Sequence, residues 1–267
     1  MSKSVVAIVV KPDNCVCGES QRPHRSILED MAENDPLAPL FALPGVENAA
    51  AQAVQKISRA HRRPAGLRKF DVISAESAMR GARAAVFVEG LNISPNLQPE
   101  DAADGPLANA ISAYSVLAPE VQSTTVRTFA RSPLQVLARL DVAAGGTGIP
   151  AASGAARVQA LARLISSGSG MIFDRLLPVV LHAELAAYGV FGSRSHLIGM
   201  VAARIAAIHS GFDPRGFAVP ETYYNRHRDE YWEAISAYPE QPGKTLEFLL
   251  KAWAAGGEEA DGIARSA

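Results

Sequence analysis

A short polar turn between two apolar segments carries the side chains best suited to bind an anion. Residues 181–211 read LHAELAAYGVFGSRSHLIGMVAARIAAIHSG, which predicts a helix, a turn of small residues and a second helix. The second helix would begin with free backbone N–H groups and the positive end of its dipole. A glycine permits a tight turn at 192–196, a serine can cap the helix, and Arg194 carries a guanidinium that suits phosphate. The candidate binding residues are Gly192, Ser193, Arg194, Ser195 and His196.

The same stretch resembles the Fic family, whose members transfer AMP or related groups to protein hydroxyls. The family frame is a helix, the motif H-A-x-F-x-x-I-H-P-F-x-(D/E)-G-N-G-R-x-x-R and a second helix, and HAELAAYGVFGSRSHLIGM aligns with it without a gap. His182 and Ala183 match the opening pair, and Phe191 matches the motif phenylalanine. Further frame positions are occupied by Leu185, Tyr188 and Gly199. The resemblance continues through residues 209–238 and covers about 74–260.

The residues that would perform the family's chemistry are replaced in this sequence. The family's proton-accepting histidine corresponds to Gly189, and its Mg²⁺-binding acid corresponds to Ser193. Glycine cannot accept a proton, and a hydroxyl is a poor ligand for a hard dication. The G-N-G segment becomes residues 194–196, and the two motif arginines become Leu197 and Met200. The resemblance therefore implies a Fic-like fold without AMP-transfer chemistry.

A second part of the Fic pattern falls at residues 84–90, AAVFVEG. It resembles the family's inhibitory helix, (S/T)-x-x-x-E-(G/N), whose glutamate blocks the nucleotide site by pairing with the second motif arginine. Glu89 and Gly90 fit this pattern, but the arginine is missing, so Arg194 or Arg204 would have to replace it. The alternative is a helix-terminal glutamate followed by a C-cap glycine.

Two other stretches were candidates for a site. Residues 145–154, GGTGIPAASG, stand where the Fic family has a β-hairpin flap that docks the target segment, but they are short and glycine-rich, which favours a connector. Cys15 and Cys17 are the two cysteines of the chain. Because no second cysteine pair follows, we expect two reduced thiols and no metal site.

The composition limits the class of protein. The chain has 267 residues, 48% of them hydrophobic and 6% aromatic, with a net charge of -1. An alanine-rich apolar content favours helices, and the near-zero charge argues against general binding to nucleic acid or to an anionic membrane. The N-terminus lacks a signal peptide's long apolar region, and the most apolar helix carries charged residues. We therefore expect a cytoplasmic protein that binds neither nucleic acid nor membranes.

The elements that must position the turn are predicted to be helices. The predicted segments are 44–61, 73–90 with Ser74 as N-cap, 106–119, 132–144, 155–168, 171–189, 195–209, 220–238 and 243–260. Residues 4–10 favour one edge strand. We predict an all-α, Fic-like bundle of eight or nine helices with at most a small strand or hairpin. An N-terminal arm (1–43) would precede the Fic-like helical domain (44–267).

The segment 220–238 mixes aromatic and charged residues. Helical spacing predicts that one face carries Tyr224, Arg228, Tyr231 and Ile235. The same spacing predicts an ion pair between Arg226 and Glu230. A packed amphipathic helix is the simplest interpretation, and a binding surface is the alternative.

Three functions fit these residues. The first is a catalytically degenerate Fic-like protein, a pseudoenzyme that acts as a binding or regulatory module and keeps a phosphate or nucleotide site at 192–196 without Mg²⁺. The second is an enzyme with altered nucleotidyl- or phosphoryl-transfer chemistry that uses Arg194, His196 and one of Ser193 and Ser195. The third is a purely structural interaction domain, as a homodimer or with a protein partner. No metal or other cofactor is expected in any of the three.

Overall fold

The computed structural model of the protein describes residues 35–91 and 104–267, and within these ranges all regular secondary structure is helical. The thirteen α-helices there are α1 (Ala38–Phe41), α2 (Val46–His61), α3 (Pro64–Arg68), α4 (Phe70–Val88), α5 (Pro106–Tyr114), α6 (Pro119–Arg131), α7 (Pro133–Ala143), α8 (Ala155–Ser167), α9 (Met171–Ala187), α10 (Ser195–Ser210), α11 (Glu221–Arg226), α12 (Arg228–Ala237) and α13 (Pro242–Ser266). The predicted all-α class is confirmed. The strand expected at 4–10 lies outside the described residues, as do Cys15 and Cys17.

The described ranges hold more helices than the eight or nine that we predicted. The predicted helix 106–119 ends at Tyr114, and a short 3-10 turn follows. Ala118 is extended, with φ -59° and ψ 138°, because it precedes Pro119, and the proline then begins the unpredicted α6. The predicted helix 220–238 is interrupted at His227, which leaves the helical region with φ -116° and ψ 46°.

This break also changes the predicted charge pair. Arg226 lies 3.3 Å from a carboxylate oxygen of Glu259, and Glu230 lies 3.0 Å from His227 Nδ1. The predicted pair between Arg226 and Glu230 is therefore wrong, since the two residues do not share one continuous helix. The predicted apolar face is present in part, because Tyr224, Tyr231 and Ile235 are buried while Arg228 donates from Nε to Val88 O at 3.0 Å.

The start of α4 differs from the prediction, whereas its glycine-capped end agrees with it. The helix begins at Phe70, so Ser74 lies inside it and is not its N-cap. The buried Ser74 hydroxyl accepts a hydrogen bond from Gln122 Nε2 at 3.3 Å. At the other end Gly90 has a φ of +81°, and the N–H groups of Gly90 and Leu91 bond back to the last turn. This is a glycine C-cap, one of the two interpretations of the Glu89–Gly90 pair.

The antiparallel pair α9 and α10 forms the centre of the bundle. Most residues of both helices are buried, and the two helices contact one another along their lengths. Gly199 lets them approach closely, since a Cβ there would lie 3.0 Å from His182 Cδ2 and 3.2 Å from its carbonyl oxygen. Helices α2, α11 and α12 pack with α13 on one side, and α6 and α7 contact α10 on another.

The described end of the predicted arm packs against α9. Leu37 is fully buried, and the Asp35 carboxylate accepts hydrogen bonds from the backbone N–H groups of Phe173 at 2.7 Å and Leu37 at 3.0 Å. Asp35 therefore occupies a free donor at the N-terminus of α9. The boundary that we placed at residue 43 stays a prediction. No helix in the two described ranges has the length and apolarity needed to cross a bilayer.

A glycine in α13 should be required for the contact between α13 and α2. A Cβ at Gly257 would lie 2.7 Å from Ile57 N and 2.8 Å from Lys56 C, and neither backbone atom can move independently of α2. We expect Gly257→Ala to lower the free energy of unfolding by about 1–3 kcal/mol, measured by urea denaturation. Gly262 is the matched control in the same helix, because a Cβ there meets nothing within 4 Å. Gly262→Ala should be neutral or stabilising by up to about 1 kcal/mol, and equal losses in both variants would contradict this packing argument.

Candidate functional site

The turn between α9 and α10 is closed by its own backbone and by one serine. Gly189 and Gly192 have φ values of +56° and +63°, a conformation that suits glycine. The Ser195 hydroxyl donates to Gly192 O at 2.7 Å and accepts from the N–H of Phe191 at 2.8 Å. Ser195 is the first residue of α10 and is fully buried, so its hydroxyl stabilises the turn from inside. The helix has no side-chain cap, and the expectation that Ser193 or Ser195 would cap it is wrong.

Arg194 forms an ion pair with a buried acid that the sequence analysis did not identify. Its Nε lies 2.7 Å from Oδ1 of Asp141 on α7, whose side chain is fully buried. The other carboxylate oxygen of Asp141 accepts from the N–H of Gly148 at 2.8 Å. Residues 145–154 thus fold around Asp141 and also contact the turn, because the N–H of Ala151 donates to Val190 O at 2.9 Å. The positive charge expected to attract an anion is therefore neutralised by Asp141.

Glu89 lies near Arg194 without forming an ion pair with it. Glu89, Ser193, Arg194 and Leu197 line one cavity of about 170 Å³. Glu89 Oε1 is buried and has no hydrogen-bond partner among the described residues, and burial raises the pKa of this carboxyl. The expected substitute pair with Arg194 or Arg204 is absent there, because Arg194 contacts Asp141 and Arg204 contacts Glu221 at 3.2 Å.

The two positions of the motif arginines belong to the hydrophobic core. Leu197 is 7% exposed and Met200 is 1% exposed. Because Ser193 is exposed and Gly189 has no side chain, the aligned positions supply neither a proton acceptor nor a carboxylate. Within residues 35–91 and 104–267, no group of three histidine, cysteine, aspartate or glutamate side chains could hold a metal ion.

His196 turns away from this cavity and joins a buried chain of polar groups. Its Nδ1 lies 3.1 Å from the Tyr231 hydroxyl, and the same hydroxyl lies 2.9 Å from His182 Nε2. The His196 ring also packs on Trp232, with ring centroids 4.1 Å apart. A hydroxyl can donate to one imidazole and accept from the other, so Tyr231 can bond to both histidines, while the buried Nδ1 of His182 has no hydrogen-bond partner among the described residues. Sequence matching had placed Tyr231 in a helical pattern but gave no sign of these partners.

Burial keeps His182 and His196 neutral. It lowers the pKa of His196 to about 4 and, together with the nearby His196, lowers that of His182 to about 3. Burial, and then the charge of Glu89, raise the pKa of Tyr231 far above its usual value, so its hydroxyl keeps its proton. The group formed by His182, His196 and Tyr231 therefore carries no net charge at neutral pH, and its two histidines are poor proton acceptors.

A second polar group, at the opposite end of the central helices, was also missed. His61 Nε2 lies 2.7 Å from Oδ1 of Asp213, and Asp213 Oδ2 accepts from the N–H of Ala218 at 2.7 Å. The His61 ring stacks on Phe217 with centroids 4.4 Å apart and planes 12° from parallel. Burial raises the pKa of Asp213, but its hydrogen bonds and the charge of His61 lower it further, so the net pKa lies below the usual value. His61 lines a cleft of about 730 Å³, the largest described here for this chain.

The neutral histidines predict a loss of stability in acid. The pKa of His196 in the folded chain lies below the usual histidine value of 6.5, so the unfolded chain binds more protons below pH 6.5 and stability falls as the pH falls towards 4. At pH 5 this histidine should cost about 2 kcal/mol relative to pH 7.5. The measurement is urea unfolding at both pH values for the wild type and for His196→Gln, whose amide can still bond to Tyr231. The wild type should lose about 2 kcal/mol more than the variant.

Comparing the wild type with the variant cancels the contributions of carboxyl groups such as Glu89, which titrate in the same range. His227 is the control because it is a partly exposed histidine paired only with Glu230. His227→Gln should keep the wild-type pH dependence. An unchanged pH dependence in His196→Gln would show that His196 is not held neutral by the fold.

The chain matches no protein-family model, and no curated protein is significantly similar to it. The resemblance to the Fic family thus rests on the sequence alone, at residues 84–90 and 181–238. Two matched frame positions, His182 and Gly199, lie against one another in the central helix pair. Membership of the family stays a prediction made from these residues.

Proposed function

We propose that this chain is a Fic-like helical protein that does not transfer AMP and that acts by binding a ligand or a protein partner. The observation that carries the proposal is the ion pair between Arg194 and the buried Asp141. It uses the charge that would otherwise hold a nucleotide phosphate. The proton-accepting position is Gly189 and the acid position is Ser193, so the aligned residues offer no substitute for the family's base or metal ligand.

The turn at 192–196 supports a phosphate-sized anion better than a nucleotide. Its cavity of about 170 Å³ is smaller than the roughly 300–1,000 Å³ of most small-molecule sites. Arg194 contacts Asp141 through Nε, which leaves its two terminal amino groups as donors, and Ser193 adds an exposed hydroxyl. The carboxylates of Asp141 and Glu89 oppose an anion there, so we propose weak binding.

The altered-enzyme alternative has less support from the geometry. The Ser195 hydroxyl is hydrogen-bonded within the turn, to Gly192 O and the N–H of Phe191. The His196 ring contacts Tyr231 and Trp232. A serine and a histidine that act together need to lie within hydrogen-bond reach of each other.

Two exposed apolar side chains support the interaction-domain alternative. Val142 at the end of α7 is 56% exposed, and Ile149 in the loop that encloses Asp141 is 71% exposed.

The first test is transfer of AMP. The purified chain, incubated with labelled ATP and Mg²⁺, should label neither itself nor an added protein extract above the level of a boiled sample. An active AMP-transferring Fic enzyme serves as the positive control. Because loss of a general base alone costs about 10²–10⁴-fold, a rate within tenfold of that control would refute the proposal.

The second test removes the charge that neutralises Arg194. We expect Asp141→Asn to bind inorganic phosphate about tenfold more tightly than the wild type, a change of about 1.4 kcal/mol, as measured by isothermal titration calorimetry. The gain should vanish in Asp141→Asn combined with Arg194→Gln. Glu47→Gln, which removes an exposed acid on α2, is the control for a general charge effect. Equal phosphate affinity in Asp141→Asn and the wild type, with both folded by circular dichroism, would exclude the turn as an anion site.

A further inference from the structure

The cleft that His61 lines lies far from the turn at 192–196. It is bounded by the C-terminal end of α2, the first turns of α9 and the residues after α10. Because α9 has 17 residues, its two ends are about 25 Å apart, and the cleft and the turn are therefore separate. The cleft volume of about 730 Å³ is within the usual range of small-molecule sites.

Positive charge dominates the rim of this cleft. Arg62 and Arg175 line it, and neither has a hydrogen bond or an ion pair with any residue in the described ranges. By contrast, Arg63, Arg194 and Arg204 each contact a carboxylate. Unpaired guanidinium groups on one cavity are the donors that carboxylates and phosphates bind most strongly, often with two parallel hydrogen bonds.

Three carboxyl groups at or near the cleft limit the positive charge without cancelling it, and one of them, Asp213, is paired with His61. Asp174 lines the cleft, and burial raises the pKa of its carboxyl. Asp35 is already committed to the backbone N–H groups of Leu37 and Phe173, so the N-terminus of α9 is capped. An anion in the cleft would therefore depend on side-chain donors. Ser58 and Ser210 line the cleft and can supply two hydroxyls.

His61 adds a ring nitrogen without a partner. Its Nε2 is held by Asp213 and its ring by Phe217, so the side chain is fixed in place. Its Nδ1 is buried and has no hydrogen-bond partner among the described residues. A buried polar atom left unpaired destabilises the fold, and an oxyanion that accepts a hydrogen bond from Nδ1 relieves that penalty.

The remaining walls of the cleft are apolar. Val54 and Phe212 line it, and Met171 stands at its edge with 65% of its surface exposed. An exposed methionine is a flexible surface that adapts to an apolar ligand group. The cleft thus combines an apolar side with two guanidinium groups that have no partner among the described residues.

We propose that this cleft binds a small organic oxyanion, a phosphate monoester or a carboxylate attached to an apolar group, with Arg62 and Arg175 holding the oxyanion and His61 contacting it. The proposal does not depend on the function proposed for the turn, because it uses none of the same residues. It assigns a ligand-binding role to the end of the bundle opposite the turn at 192–196.

The test uses the full chain and four probes. Phenyl phosphate and benzoate carry the two oxyanions on the same apolar ring, inorganic phosphate lacks the ring, and benzyl alcohol lacks the charge. Calorimetry should show saturable binding of phenyl phosphate or benzoate at least tenfold tighter than that of benzyl alcohol. The tighter of the two anions identifies the oxyanion, and binding of inorganic phosphate alone would overturn the need for an apolar group.

Arg62→Gln combined with Arg175→Gln should weaken the tighter anion at least tenfold. Arg131→Gln is the matched control, because Arg131 is exposed at the end of α6 and has no described partner. In ¹⁵N spectra of the wild type, binding should move the Nδ1 resonance of His61, a change that loss of charge elsewhere would not produce. His61 itself is not substituted, because that would leave Asp213 buried without its partner.

Three results at the cleft itself would overturn the proposal, and a fourth would come from the turn. The three are the absence of saturable binding for both organic anions, equal affinity in the double variant and in Arg131→Gln, and a His61 resonance that does not move on saturation. Binding that is lost in Arg194→Gln but kept in the double variant would place the anion at the turn. That result would support the proposed function and refute this inference, so the two failures are distinguishable.

Discussion

Buried polar side chains on the central helix pair determine which helices can pack around it. His182, Glu184 and Arg204 are at most 1% exposed, and each finds its partner on a different element. His182 bonds to Tyr231 on α12. Glu184 contacts Arg157 on α8 and Tyr238, which follows α12. Arg204 pairs with Glu221 at the start of α11. Since breaking a buried ion pair costs about 3–5 kcal/mol, these contacts make one arrangement of the outer helices much more favourable than the alternatives.

The same requirement applies to the turn between α9 and α10. Arg194 is two-thirds buried, and the buried Asp141 compensates its charge locally. The carboxylate in turn orders residues 145–154, where the N–H of Gly148 donates to it. A residue that would be a ligand-binding group in an open turn is therefore part of the structure that closes it. At the other end of α9, Arg62 and Arg175 have no such compensation from the described residues.

Local sequence patterns predicted the helices well where each pattern lies within one helix. The central helices α9 and α10 were placed within two residues at each end, because their apolar residues repeat with helical spacing. The break at His227 was missed because apolar spacing continues across it, and α6 was missed because its sequence is largely polar, with Thr125 and Phe129 as its buried residues. Proline at the first helical position was a usable signal for α6 that we did not apply.

The side-chain partners could not be predicted in this way. Arg194 and Asp141 are 53 residues apart, His182 and Tyr231 are 49 apart, and His61 and Asp213 are 152 apart. Helical spacing specifies which face a residue occupies, but not which residue on another helix meets it. The sequence therefore indicated that Arg194 stands near a helix start, whereas its charge balance depends on Asp141, a residue of another helix.

The departures from the Fic motif are built into the backbone and the core as well as into the side chains. Gly189 has a φ of +56°, so a histidine there would be strained even though its Cβ meets no atom within 4 Å. An arginine at Met200 would enter a position that is 1% exposed, where an unpaired charge is costly. Arg194 would still be bound to Asp141. Each replacement is thus compatible with a closed, well-packed turn and incompatible with an open nucleotide site, in keeping with the small cavity of about 170 Å³ beside the turn.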